Sequence, residues 1–120
     1  MKTLVLIFLA LALIQVILSA TAPCVSRTTI IQRGQNWVDK KVPYSQTKTY
    51  DGYRTDCSGF ISMCWGLSKP GLSTTGLGSQ ATRITKDNLL KGDALIYPSV
   101  HVVLFVEWAD AKKNSYVSME

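Results

Sequence analysis

The apolar positions change period along the chain, and each change marks an element. Between Ser26 and Lys41, Ile30, Ile31, Trp37 and Val38 recur at roughly helical spacing, with Gln, Arg and Lys between them. That pattern predicts an amphipathic helix capped by Ser26. Val42-Pro43-Tyr44 ends it, because proline cannot continue the backbone hydrogen bonds. Ser45 to Thr55 is polar, contains Gly52, and reads as an exposed loop. A second helix is predicted from Asp56-Cys57 through the apolar run ending at Trp65, with Gly66 as its stop. Lys69-Pro70-Gly71 and the Ser/Thr/Gly-rich stretch to Ser79 read as a long connection, and Ile84 to Lys91 has no decisive period.

Helical spacing then gives way to β-branched and aromatic runs. Lys91-Gly92-Asp93 is a turn that launches a strand over Ala94 to Tyr97. Pro98-Ser99 connects it tightly to His101 through Trp108, apolar on both faces. Ala109 to Asn114 is a hairpin loop, and Ser115 to Glu120 a return strand carrying Tyr116 and Val117. Helices followed by antiparallel strands predict an α+β domain.

Before all of this stands Met1-Lys2-Thr3, an apolar run from Leu4 to Leu18 interrupted by Gln15, and Ser19-Ala20-Thr21-Ala22. One positive charge, a leucine-rich centre and small residues at the end make a secretory signal peptide over 1–20, cleaved after Ala20 or Ala22. The expected protein is secreted and extracellular, without stable membrane association, since the run is short for a span and no basic stop-transfer cluster follows. About a hundred residues remain, enough for one domain over 23–120. The formal charge of +5 draws such a protein to anionic surfaces, bacterial cell walls or phospholipids. Nucleic acid is not an expected partner, because the basic residues are scattered and no aromatic-basic motif accompanies them.

Three cysteines in an exported chain leave one thiol over. Cys57 and Cys64 lie about two turns apart on one helix, too far to bridge each other. Their spacing points to a Cys24–Cys64 disulfide with Cys57 free; the alternative is that Cys64 is a buried apolar side chain. Cys57, at a helix N-terminus, is where unpaired N–H groups and the helix dipole favour a thiolate. A neutral imidazole is the usual base that makes one, and the chain's single histidine is His101. Zinc is disfavoured, because one His with widely spaced Cys supplies too few ligands, and no cofactor is expected.

The Asp56-Cys57-Ser58-Gly59-Phe60 helix start, the Gly92-Asp93-Ala94-Leu95 strand entry and His101 opening the next strand together resemble the NlpC family of cell-wall cysteine endopeptidases. Val42-Pro43-Tyr44 is similar to that family's Pro-Tyr element upstream of the nucleophile. The resemblance implies a small papain-like fold, with the nucleophile helix packed on an antiparallel sheet. It implies a monomeric hydrolase that cleaves an amide bond in peptidoglycan stem peptides. Cys57 is then the nucleophile and His101 the base. Tyr44, Asp56 and Ser58 belong to the substrate and oxyanion side of the site, with Asp56 fitting an N-cap role. Ser45-Gln46 replaces the family's glycine pair, and the stretch through Asp51-Gly52 lengthens the loop before the nucleophile. The residue that orients the histidine should project from the return strand. Asn114 comes too early for that, whereas Glu120 is well placed, at a point where the family fold usually continues. Two other readings are a catalytically weak wall-binding or defence protein on the same fold, and a CHAP-type amidase acting on a different wall bond.

Overall fold

Ser26 starts the first described element, as its position predicts. Its Oγ accepts the Thr29 N–H at 3.1 Å, and helix α1 (Arg27–Asp39) follows. The computed structural model describes residues 25–120, so the predicted leader, its cleavage points and Cys24 lie outside the described residues. Helix α1 buries Ile30, Gly34 and Trp37, a stripe at i, i+4 and i+7. Gly34 sits against Phe60, Cys64 and Met119, so the absent side chain is what lets these groups approach the helix.

The stretch expected to be an exposed loop is instead a β-hairpin. Strand β1 (Ser45–Tyr50) pairs antiparallel with β2 (Tyr53–Thr55). Asp51 and Gly52 turn the chain, both in the left-handed region, with φ +51° and +81°. Two consecutive positive φ values match the twist of a two-residue hairpin, and Asp-Gly is a preferred pair for it. Nearly all of β1 is exposed, so no apolar alternation betrays the strand. The helices-then-strands order is corrected accordingly, since this hairpin separates the first two helices.

Helix α2 (Cys57–Trp65) follows β2 directly, and every residue from Cys57 to Cys64 is buried. Asp56 caps it by accepting the Gly59 N–H at 2.7 Å, and Gly66 ends it at φ +70°. The presumed long connection holds a third helix, α3 (Thr74–Gln80). Threonine and glycine are poor helix formers, which hid it. The fully buried Leu77 and the Ser73 cap on the Gly76 N–H hold it in place. The undecided stretch contains one 3₁₀ turn, Lys86–Asn88.

The remaining strands form an antiparallel sheet in the order β3-β4-β5: Ala94–Tyr97, His101–Trp108 and Tyr116–Met119. Asn114 stays in the turn, where Asp110 Oδ1 accepts its N–H at 2.8 Å and that of Ser115 at 3.1 Å. Val102, Leu104, Ile96 and Met119 pack with Cys57, Phe60 and Ile61 of α2 in one core. The Trp65 indole N–H donates to Gly92 O at 2.8 Å, pinning the end of α2 to the turn that launches β3. The described chain is thus a small α+β domain with two antiparallel sheets. None of its described helices is long and apolar enough to cross a membrane.

Cys64 lies in the middle of this core with no solvent exposure. Burial pushes its thiol up from 9.0 to about 12, and the Arg33 guanidinium nearby offsets only part of that rise. In the reduced protein the unfolded chain loses this proton above about pH 9 while the folded chain keeps it. Folding is therefore favoured fully below that pH and progressively less above it, by at most about 1.4 kcal/mol per pH unit. Between about pH 8 and 10.5, urea unfolding should show the reduced protein losing about 1–2 kcal/mol more than Cys64→Ala does. Equal losses in the two proteins would mean that Cys64 ionises freely in the fold.

Candidate active site

The local sequence around Cys57 builds a helix start held from both sides. Strand β2 delivers Arg54, and two residues on Asp56 caps the helix. Residues i and i+2 of an extended segment face one way, so the two side chains meet, Arg54 Nε donating to Asp56 Oδ2 at 3.1 Å. The Asp56 carboxylate serves the cap while its charge is offset by the guanidinium beside it. Arg54 also donates to Gly71 O at 2.8 Å and to Leu72 O at 2.7 Å. Sequence reasoning missed Arg54; its place two residues ahead of the cap was the available signal.

Cys57 is the first residue of α2 and only 8% exposed. First-turn N–H groups have no acceptor within a helix, so those of Cys57 and Ser58 are left for an anion or a developing oxyanion. Among the described residues the Cys57 thiol has one hydrogen-bond partner, Thr74 Oγ1 at 4.0 Å. The Ser58 side chain does not turn to the site, because its hydroxyl lies between Asp56 Oδ1 at 3.4 Å and Arg54 Nη2 at 3.3 Å.

His101 opens β4, opposite Tyr97 in the register, with its ring 42% exposed. Its Nε2 lies 2.5 Å from Glu120 Oε2, so the residue expected to orient the histidine is in contact with it. Nδ1 has no partner among the described residues. No hydrogen bond joins the ring to Cys57 sulfur.

Two lines of contact nonetheless link the surroundings of the thiol to those of the imidazole. Cys57 touches Thr74, and the next residue, Thr75, lies 3.4 Å from Ser99 in the turn leading to His101. On the other side, Glu120 lines a cavity of about 200 Å³ with Trp37, Tyr44, Asp56 and Phe60. Tyr44, 62% exposed, stands in its wall beside the cap residue of α2. A larger cavity, about 700 Å³, is elsewhere. Residues Arg83, Ile84, Lys86, Ile96 and Trp108 line it, and neither Cys57 nor His101 does.

Among the described residues no cluster of three His, Cys, Asp or Glu side chains is placed to hold a metal ion. Among the described residues neither Cys57 nor Cys64 is bridged, and the Cys24 partner proposed for Cys64 lies outside them. No protein family, curated protein or solved structure matches the chain.

Proposed function

We propose that this domain is a secreted cysteine hydrolase of the NlpC type, with a papain-like arrangement, which cuts an amide bond in peptidoglycan stem peptides. The observation that supports it most is a helix-N-terminal thiol linked by a short run of contacts to the turn before a histidine whose Nε2 meets a carboxylate and whose Nδ1 has no partner among the described residues. Cys57 Sγ attacks the scissile carbonyl carbon, forming a C–S bond while the carbonyl oxygen becomes an oxyanion near the Cys57 N–H. His101 takes the thiol proton and passes it to the departing amine as the C–N bond breaks. Water then attacks the thioester, releasing the carboxylic acid and restoring the thiol. Asp56 holds the helix start, and Tyr44 borders the substrate.

The deciding experiment is mass spectrometry of purified peptidoglycan fragments after incubation with the mature protein. New fragments cleaved within the stem peptide support the endopeptidase. Cleavage of the bond between glycan and peptide would assign the chemistry to an amidase of the CHAP type. The missing thiol–imidazole hydrogen bond favours a second reading, a wall-binding protein with little catalysis. Iodoacetamide separates them, since a poised Cys57 is alkylated near neutral pH and an idle one is not.

Glu120 is expected to act through His101. Glu120→Gln keeps the shape of the contact but removes the charge that steadies an imidazolium, so kcat falls by about tenfold or more with KM nearly unchanged. Unaltered kinetics in a folded variant would leave Cys57 and His101 as a dyad.

A further inference from the structure

The first turn of α3 lies against the nucleophile, and the mechanism above gives it no role. Thr74 Oγ1 is 4.0 Å from Cys57 Sγ. The hydroxyls on either side of it in the chain are committed elsewhere, Ser73 to the Gly76 N–H at 3.0 Å and Thr75 to Ser99 at 3.4 Å. Nor is Thr74 carried on a loose loop. Arg54 grips the carbonyls of Gly71 and Leu72, and the Leu72 N–H donates to Ser62 Oγ, inside α2, at 2.9 Å. Leu77, one turn on, is fully buried. The segment bearing Thr74 is therefore tied to the helix bearing Cys57 at points before and after it.

Resting on the reading of Cys57 as nucleophile, we propose that Thr74 is a positioning residue for it, its hydroxyl donating to the Cys57 thiolate. A neutral thiol is a weak acceptor, whereas a thiolate is a strong one, so the hydroxyl favours the reactive form over the resting form. It also fixes the direction in which the sulfur presents its lone pairs. Being neutral, threonine does this without adding a permanent charge that would compete with His101 for the thiol proton. Among the described residues the sulfur is the hydroxyl's hydrogen-bond partner, and the hydroxyl takes no part in bond making.

Alkylation of Cys57 by iodoacetamide tests this without any substrate. The rate is read on the Cys57 peptide by mass spectrometry in the full folded chain. Thr74→Val keeps the side-chain shape and should slow the reaction by about tenfold near neutral pH, the worth of one hydrogen bond to a charged group. Its pH–rate profile should move to higher pH by about one unit. Thr74→Ser, which restores the hydroxyl, should react within about twofold of the wild type, and all three proteins should melt together. Thr74→Ala carries the same expectation as valine and covers a valine that disturbs the helix start. A wild-type rate in Thr74→Val, or a serine variant as slow as valine, overturns the proposal. A Cys57→Ala protein that still hydrolyses peptidoglycan overturns the nucleophile reading alone.

Discussion

On the hydrolase proposed above, Cys57→Ala is expected to leave a folded protein whose hydrolysis of peptidoglycan stem peptides falls by on the order of ten-thousandfold or more. The size follows from the chemistry. With no sulfur there is no thioester, and the residual reaction must be direct attack by water, helped only by oxyanion donors and substrate binding. The fold tolerates the change because Cys57 sits at the edge of the core, with the Asp56 cap and the Phe60 and Ile61 packing intact. Cys57→Ser tests the same point without loss of volume, because a hydroxyl is a far poorer nucleophile than a thiolate near neutral pH. Release of new amino groups from purified wall material, followed alongside circular dichroism of each variant, gives the answer. Wild-type turnover in a folded Cys57→Ala protein would end the covalent mechanism.

The largest effect on stability is expected at Gly59. A side chain there would run into the carbonyl and Cβ of Arg54 on β2, and the obstacle is backbone rather than a flexible tip. Relief requires the hairpin to move off α2, which would also break the Arg54–Asp56 contact at 3.1 Å. Gly59→Ala should therefore cost about 3 kcal/mol or more, at the upper end of overpacking, despite alanine's better helix propensity. For a domain of this size that lowers the melting temperature by roughly 12–24 °C. A thermal melt within about 2 °C of wild type would show that β2 does not lie against the helix start. Glycine in the Asp-Cys-Ser-Gly run is thus explained by the close approach of a neighbouring strand.

Where sequence and structure agree, the signal was carried by side chains that bond to their own backbone or pack at a fixed period. Ser26, Asp56 and Gly66 announced helix ends through capping chemistry, and all three cap in the fold. The β4 run, apolar on both faces, announced a strand, and Glu120 reaches His101 as its place in the return strand suggested. The β1–β2 hairpin was illegible because its first strand is almost wholly exposed, leaving only the Asp51-Gly52 turn as a clue. Helix α3 was illegible because tertiary anchoring through Leu77 overrides weak local propensity. Arg54 and Thr74 were missed for a related reason. Their partners Gly71 and Cys57 lie 17 residues away in the chain, a pairing that no local pattern encodes, and the one local signal was the place of Arg54 two residues ahead of Asp56.

Arg54 joins a strand, a helix cap and a loop through a single side chain. The bonds from Arg54 to Asp56, Gly71 and Leu72 are made or lost together, since one guanidinium holds its donors in a fixed plane. Loss of the Arg54 contacts would therefore loosen the hairpin, the first turn of α2 and the chain leading into α3 together. Cys57, only 8% exposed with these contacts in place, would gain exposure from such an opening. The access of bulky reagents to the thiol then follows the free energy of that opening, whereas access to His101, already 42% exposed on the neighbouring sheet, does not.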